Sequence, residues 1–447
     1  MIELKREFYD FLLRWKQTKQ NECLLVKGAR QIGKTFIIEK FGRENYDHFI
    51  EINFIFNPEY LPVFDGNIDA ESLFSKISAI RPNVRFVPSR TLLFLDEIQE
   101  CPNARTALKP LALSAKCDVI ASGSLLGIKY KGKKANRNPK SIAVGYEHQV
   151  TMHSLSFREY LWASGYDETQ IDYLRGFFER REIVPAAVND KFHSLLREYA
   201  VVGGMPAVVC AFMENRHFGD VQRIQEEILS ATIDDIHKYS DQASVAKIES
   251  CYRAVPRILS LPNRKFKYSE IEKGGSSRKY LECVEWLNAA HLTSKAECVN
   301  AVSVGLPAYV REDWYKLYMS DVGLLMAQYG MLAKRQLLDG SIKGTVKGGI
   351  YENIVAGILE RNGIPLYYHK NEKGDIEMEF IAETDDGVVP LEVKSTNGAT
   401  LSLDKILASP SIPYGFKFTG GNVGFSGKKI TLPHYLALFV RSANDSP

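Results

Sequence analysis

Gly28-Ala29-Arg30-Gln31-Ile32-Gly33-Lys34-Thr35 follows the pattern G-x-x-x-x-G-K-[ST], and no other segment restricts the fold of this chain so tightly. It follows the apolar run Glu22–Lys27 (ECLLVK) and opens a helical stretch, Thr35–Phe41. Strand, glycine-turned loop and helix in that order make a cradle. Backbone N–H groups turn inward around phosphate oxygens, and the helix N-terminus adds partial positive charge. Lys34 is placed to bridge the β- and γ-phosphates, and the Thr35 hydroxyl to ligate Mg²⁺. The expected nucleotide-binding set is Gly28, Ala29, Arg30, Gln31, Ile32, Gly33, Lys34 and Thr35.

A second segment, TLLFLDEIQ, is an apolar strand that ends in Asp96-Glu97. In a parallel sheet this delivers two carboxylates to the edge where ligands bind. Asp96 suits the outer shell of Mg²⁺, and Glu97 suits orienting and deprotonating an attacking water. Phe49–Phe54, Thr91–Leu95 and Val119–Ala121 read as buried strands alternating with helices, which implies a parallel sheet covered on both faces. Ser122-Gly123-Ser124 closes the last of these. Should that strand neighbour the one ending in Asp96, the Ser122 hydroxyl would reach the terminal phosphate or the water. The other reading of Ser122 is a polar strand end that begins a turn.

The 447 residues suffice for about three domains with cores of their own. Apolar residues at 45% and charged residues at 25% are globular proportions, which excludes a disordered or fibrous chain. No run approaches a membrane span and the start lacks a signal peptide's apolar segment, so a cytoplasmic protein without a membrane partner is expected. Seven cysteines with no CxxC pair indicate neither a disulfide framework nor a zinc ribbon. Net charge is only +3, and Lys129, Lys131, Lys133, Lys134, Arg137 and Lys140 supply more than that within one segment. A solvated loop and a contact to a phosphate backbone both account for such a cluster.

GARQIGKT, LFLDEIQ, ASGSLLG, SIAVG and LSFREYL stand in the order and spacing of a large prokaryotic group of AAA-type ATPases. REYAVVGGMPAVV, DDIHKY, KYLECVEWLNAAHL, KLYMSDVGLL, YENIVAGIL and PLEVKS resemble the same group's C-terminal half. The resemblance covers nearly the whole chain. It implies an ATPase domain, a helical region, a winged-helix segment and a C-terminal domain of unassigned function. Tyr146 stands where the group usually has arginine and Ser154 where it usually has proline.

Towards the C-terminus, IEMEFI (376–381) and VPLEVK (389–394) both alternate with the period of half-buried strands. A hairpin through Thr384-Asp385-Asp386-Gly387 would set Glu379 opposite Glu392 and Glu377 opposite Lys394. Glu352, on an apolar helix stripe, joins Glu379, Glu392 and Lys394 in an arrangement that resembles the restriction-endonuclease-like (PD-D/E-x-K) pattern. That resemblance implies acidic ligands for Mg²⁺ and a lysine beside the nucleophile. Glu379 departs from the aspartate more usual there. The plain alternative is a solvated acidic face with a Glu377–Lys394 ion pair.

The fold class expected is α/β, a P-loop NTPase parallel sheet, then a helical and winged-helix region and a C-terminal α+β restriction-endonuclease-like domain. Expected boundaries are 1–165, 166–255, 256–312 and 313–447. Arg278 and Lys279 begin a candidate recognition helix, Ser276–Ala290. Asp234, Asp235 and His237 read as a solvated helix face, Cys23 and Cys117 as core, and Trp162, Trp286 and Trp314 as fillers between helices. Arg158 is a candidate arginine finger. The expected activity is Mg²⁺-dependent hydrolysis of ATP, with Lys34, Glu97 and Ser122 catalytic and Thr35 and Asp96 managing the metal. Its cycle would drive a C-terminal domain that cleaves or binds DNA; the alternative is a signalling or scaffold switch that binds a protein partner. Oligomerisation stays open.

Overall fold

The computed structural model describes residues 2–124, 145–240, 242–396 and 398–443; the cluster Lys129–Lys140 lies outside them. Five parallel strands form the first sheet: β1 (Cys23–Lys27), β2 (His48–Asn53), β3 (Thr91–Asp96), β4 (Asp118–Gly123) and β5 (Glu147–Thr151). Their order is β2-β3-β4-β1-β5. Side chains alternate between two cores. Leu24, Val26, Phe94 and Ile120 face α1 (Glu7–Thr18) and α2 (Lys34–Asn45). Leu25, Leu93, Leu95 and Ala121 face α3 (Ala70–Ile80) and α4 (Pro102–Ser114). Cover on both sides is why β1, β3 and β4 are apolar through their middles. β5 has one neighbour and a mostly polar sequence, so its alternation carries no strand signal.

The chain then becomes helical: α5 (Phe157–Ala163), α6 (Glu168–Arg180), α7 (Ala186–Val202), α8 (Pro206–Asn215), α9 (Phe218–Tyr239), α10 (Val245–Leu259) and α11 (Ser277–Ala289). Capping boxes start two of these, Ser156 with Glu159 on α5 and Asp167 with Gln170 on α6. Gly203-Gly204-Met205-Pro206 is the turn between α7 and α8.

An eight-stranded mixed sheet closes the molecule. It comprises β6 (Thr293–Val299), β7 (Val310–Met319), β8 (Tyr367–Lys370), β9 (Glu377–Thr384), β10 (Gly387–Val393), β11 (Gly415–Thr419), β12 (Gly424–Ser426) and β13 (Lys429–Pro433). The order is β12-β13-β11-β10-β9-β8-β6-β7. Helices α12 (Val322–Leu338), α13 (Gly344–Arg361) and α14 (Leu401–Leu407) lie between its strands in sequence. The β9–β10 hairpin runs from Gly387↔Thr384 to Leu391↔Phe380, the register that the alternation demands. The expected boundary at 312/313 cuts through β7 and is corrected here. β6 pairs antiparallel with β7 and parallel with β8, so the two strands after α11 do not stand apart as a wing; their backbone groups find partners in the C-terminal sheet.

One core runs from Leu12 through the helical region to Val440. Asp321 anchors this junction. Its buried carboxylate caps α12 through Gly323 N–H and Leu324 N–H, and accepts from Gly204 N–H and the Ser154 hydroxyl, both at 2.8 Å. Arg361 donates to Ser154 Oγ at 2.9 Å, so the serine at this position is a two-way link that a proline would remove. No described helix is long and apolar enough to cross a membrane. Asp321→Ala strips four donors of their acceptor. It is expected to cost about 3 kcal/mol, measured as a lowered urea midpoint.

Candidate functional site

The loop from Gly28 to Gly33 owes its path to three backbones with positive φ, Gly28 at +146°, Gln31 at +62° and Gly33 at +89°. A Cβ on Gly28 would lie 2.2 Å from the Met152 carbonyl oxygen, so only glycine fits where the loop leaves β1 beside the exit of β5. Arg6, which is buried, braces the loop from outside: it donates to Ile32 O at 2.8 Å and pairs with Glu159 at 2.9 Å. Lys34 is 7% exposed and donates to Gly28 O and Ala29 O. Burial pushes its ammonium down to about 8, against the pull of Glu97 and Asp96.

Because β4 lies between β1 and β3, the ends of three strands meet over the loop. Asp96 is the meeting point and is 2% exposed. Its Oδ2 accepts from Thr35 Oγ1 and Asn53 Nδ2, each at 2.9 Å, and its Oδ1 accepts from the Ser122 hydroxyl and Glu97 N–H. The structure thus brings Thr35, Asp96, Glu97 and Ser122 together. Asn53 was not foreseen; its signal is a polar residue closing the end of β2 after Ile50 and Ile52. Glu97 sits in the left-handed region at φ 52°, and Gln99 donates to its carboxylate.

Arg30 at the loop apex is held by a distant element. It pairs with Asp235 of α9, donates to Tyr239 Oη at 2.7 Å and lies over the Tyr239 ring. Tyr239 Oη in turn donates to Glu100, just past Glu97, at 3.3 Å. The solvated-face reading is therefore corrected for Asp235, which meets the loop, while Asp234 and His237 are exposed. His237 pairs with Glu249 instead. Arg158 is bound to Glu7 and Glu168, both at 3.3 Å, within its own chain, so no free guanidinium projects there as a finger. Lys279, early on α11, pairs with Glu272. Cys23 and Cys117 are buried as expected, and all seven cysteines are free thiols.

Glu352, Glu379, Glu392 and Lys394 converge on one patch of the C-terminal sheet. Lys394 bridges Glu379, at 3.2 Å, and Glu392. The Glu377–Lys394 ion pair of the plain alternative is not made. Glu377 bonds Lys370 at 2.7 Å and Lys316 at 3.2 Å, because β7 brings a wholly buried lysine to that side. Glu352 is enclosed by Arg264 at 2.7 Å, Lys316 at 3.0 Å and Tyr318 at 2.6 Å. Burial opposes its charge, yet Lys316 and Arg264 hold its carboxyl below the usual range. No local sequence signal foretold Arg264, Lys316 or Tyr318. Glu379 Oε2 and Glu392 Oε2 are buried without a donor. Among the described residues no group of three or more His, Cys, Asp or Glu side chains is arranged to hold a metal ion.

Burial, and then the Glu392 charge, push the Glu379 carboxyl up to about 7. The folded protein therefore favours protonated Glu379. Stability from this group is present below the unfolded value near 4.5 and is lost as pH rises through about 7. Glu379→Gln, which keeps the neutral shape, is expected to be more stable than the parent at pH 8 by roughly 2 kcal/mol and equal to it near pH 5. Denaturant melts at the two pH values measure this.

Comparisons with known proteins bear on the two halves differently. An AAA-domain family model matches residues 20–161. A domain of unknown function, DUF8612, matches residues 193–335, from α7 to α12. No curated protein gives a match to this chain. Among solved structures, the Walker-type ATPase PABY2304 of Pyrococcus abyssi is similar at 16% identity, over 73% of this chain and 96% of its own, with TM-score 0.39. AMPPCP-bound DnaA from Aquifex aeolicus is similar at 13% identity, over 64% and 89%, with TM-score 0.28. The signal transduction ATPase with numerous domains PH0952 from Pyrococcus horikoshii is similar at 13%, over 80% and 46%, with TM-score 0.27. Residues 20–161 match the AAA-domain model and fold as a parallel α/β sheet with a P-loop between β1 and α2.

Proposed function

We propose that this protein hydrolyses ATP with Mg²⁺ and that its C-terminal half is driven by the state of that site. The observation that carries the reading is the Asp96 carboxylate, joined to Thr35 of the loop, Ser122 of β4 and Asn53 of β2 next to Glu97. Thr35 and Asp96 are hard oxygen donors side by side, the kind of ligand set that suits Mg²⁺. The ion, when bound, neutralises phosphate charge as the bond to the leaving group breaks. Lys34 would transfer its hydrogen bonds from Gly28 O and Ala29 O to phosphate oxygens, and the added negative charge would strengthen its hold on its proton. Glu97 would orient a water and take its proton. Ser122 would exchange its bond to Asp96 for one to the terminal phosphate, which makes β4 a sensor of that group. Arg30 carries the loop's state to α9 through Asp235 and Tyr239.

A second activity is favoured by one feature of the C-terminal patch. Glu379 and Glu392 each leave a buried carboxylate oxygen without a donor, beside Lys394. Two such oxygens fit a divalent ion, whereas the enclosed Glu352 does not. On this reading the patch cleaves DNA with Mg²⁺; on the alternative, it binds a partner and the chain is a switch.

Lys34→Ala is expected to abolish ATP binding by calorimetry. Glu97→Gln should bind ATP normally and turn it over some 10²–10³-fold more slowly; undiminished turnover would remove Glu97 from its role. DNA incubated with the protein and Mg²⁺ should be cut if the patch is a nuclease, and not by Glu392→Ala. Intact DNA beside active ATP turnover would assign the patch to binding.

A further inference from the structure

The Arg30 guanidinium, in the middle of the phosphate-binding loop, is held between two opposed settings. On one side it meets the nucleotide end of the sheet. Its Nε donates to Ser124 Oγ at 3.4 Å, just past the Ser122 that bonds Asp96. On the other side it meets α9, pairing with Asp235, donating to Tyr239 Oη at 2.7 Å and lying 4.8 Å over the Tyr239 ring. Tyr239 is itself tied to Glu100 at 3.3 Å. The Arg30 and Asp235 side chains are 29% and 24% exposed, so their contact is firmer than an open surface pair. Burial opposes the Arg30 charge, yet Asp235, Tyr239 and then Glu97 hold the guanidinium above its usual range. A partly open cavity lined by Arg30, Ser124 and Asp235 leaves the side chain room to turn. Because its Cα belongs to the loop, a change of rotamer carries the guanidinium from α9 toward a bound phosphate, and no helix has to move.

We propose that Arg30 is a catalytic residue, a charge-stabilising cation supplied by the loop itself, and that Asp235 and Tyr239 are a latch that keeps it off the terminal phosphate until ATP outcompetes them. The proposal rests on the reading of this site as an ATPase. A terminal phosphate carries more negative charge than the Asp235 carboxylate and suits the same two-pronged donor, so both compete for one guanidinium. In the reaction the water oxygen forms a bond to the terminal phosphorus while the bond from that phosphorus to the bridging oxygen breaks. The electron pair of the broken bond leaves on ADP, and the water's proton goes to Glu97. Negative charge is spread over the terminal and bridging oxygens as this happens, and Arg30, once released, donates to them. The guanidinium thus serves either the phosphate or α9. Arg158, committed to Glu7 and Glu168, leaves this role to the loop.

The test measures kcat and KM for ATP in the full chain and in Arg30→Ala, Arg30→Lys, Asp235→Asn, Tyr239→Phe and the double variant Arg30→Ala/Asp235→Asn, with far-UV circular dichroism reporting the fold of each. Arg30→Ala should lose about 10³-fold in kcat with KM changed far less. Arg30→Lys should recover part of that loss, since it restores the charge without the planar fork. Asp235→Asn and Tyr239→Phe should turn ATP over several-fold faster than the parent, and the double variant should be as slow as Arg30→Ala. A tie that merely holds the loop to α9 predicts the same sign at both of its ends. Turnover in Asp235→Asn at or below the parent's rate would therefore overturn the proposal, as would a kcat in Arg30→Ala within about twofold of the parent's. Tyr239→Phe, which keeps the ring, decides the latch if Asp235→Asn does not fold, and Arg30→Lys decides the cation if Arg30→Ala does not: a kcat equal to the parent's in either overturns it. Failure of the ATPase reading registers separately, as a parent chain that gives no heat with ATP and no turnover.

Discussion

The carboxylate of Asp96 is where the first sheet is held to its purpose. It is buried, it is charged, and it tolerates burial because four donors from β2, β4, the loop helix and its own strand end converge on it. That convergence depends on strand order. With β4 inserted between β1 and β3, the residues closing each strand are neighbours in space although they lie far apart in sequence. Were β4 not beside β3, Asp96 would lose Ser122.

The remainder of the molecule is built onto that sheet rather than beside it. Asp321 ties the exit of β5 and the α7–α8 turn to α12, and Arg361 of α13 secures the same serine. Arg30 reaches α9 from the loop. Val184 and Asn422 bond each other in both directions, and Tyr435 donates to Asn189, so α7 is fixed to the C-terminal tail as well. The helical region therefore has little surface of its own to offer as a hinge. A change at the loop has continuous packed paths toward the C-terminal sheet.

Features set by local sequence were legible. The loop and β3 announced themselves through glycine placement and an unbroken apolar run, and the β9–β10 register followed from period-two alternation because a one-residue slip would turn Phe380 and Leu391 outward. Features set by distant partners were not. β5 is an edge strand with polar residues, so burial left no mark on it. The hairpin register alone sets Glu377 opposite Lys394, but Lys316 on β7 claims it from a strand whose place in this sheet no local pattern reveals. Asp235 looked solvent-facing on helical periodicity alone, which does not say what lies opposite.

The single core from Leu12 to Val440 has a consequence for how the chain is made. A ribosome delivers the amino end first, and the strands of the first sheet emerge long before the tail that packs the outer side of α7. The nascent ATPase portion must wait with apolar surface uncovered, a period in which aggregation competes with folding. Fragments ending after α5 would carry the same bare surface permanently, so excised ATPase pieces of this protein are expected to be poorly behaved in ways that the full chain is not.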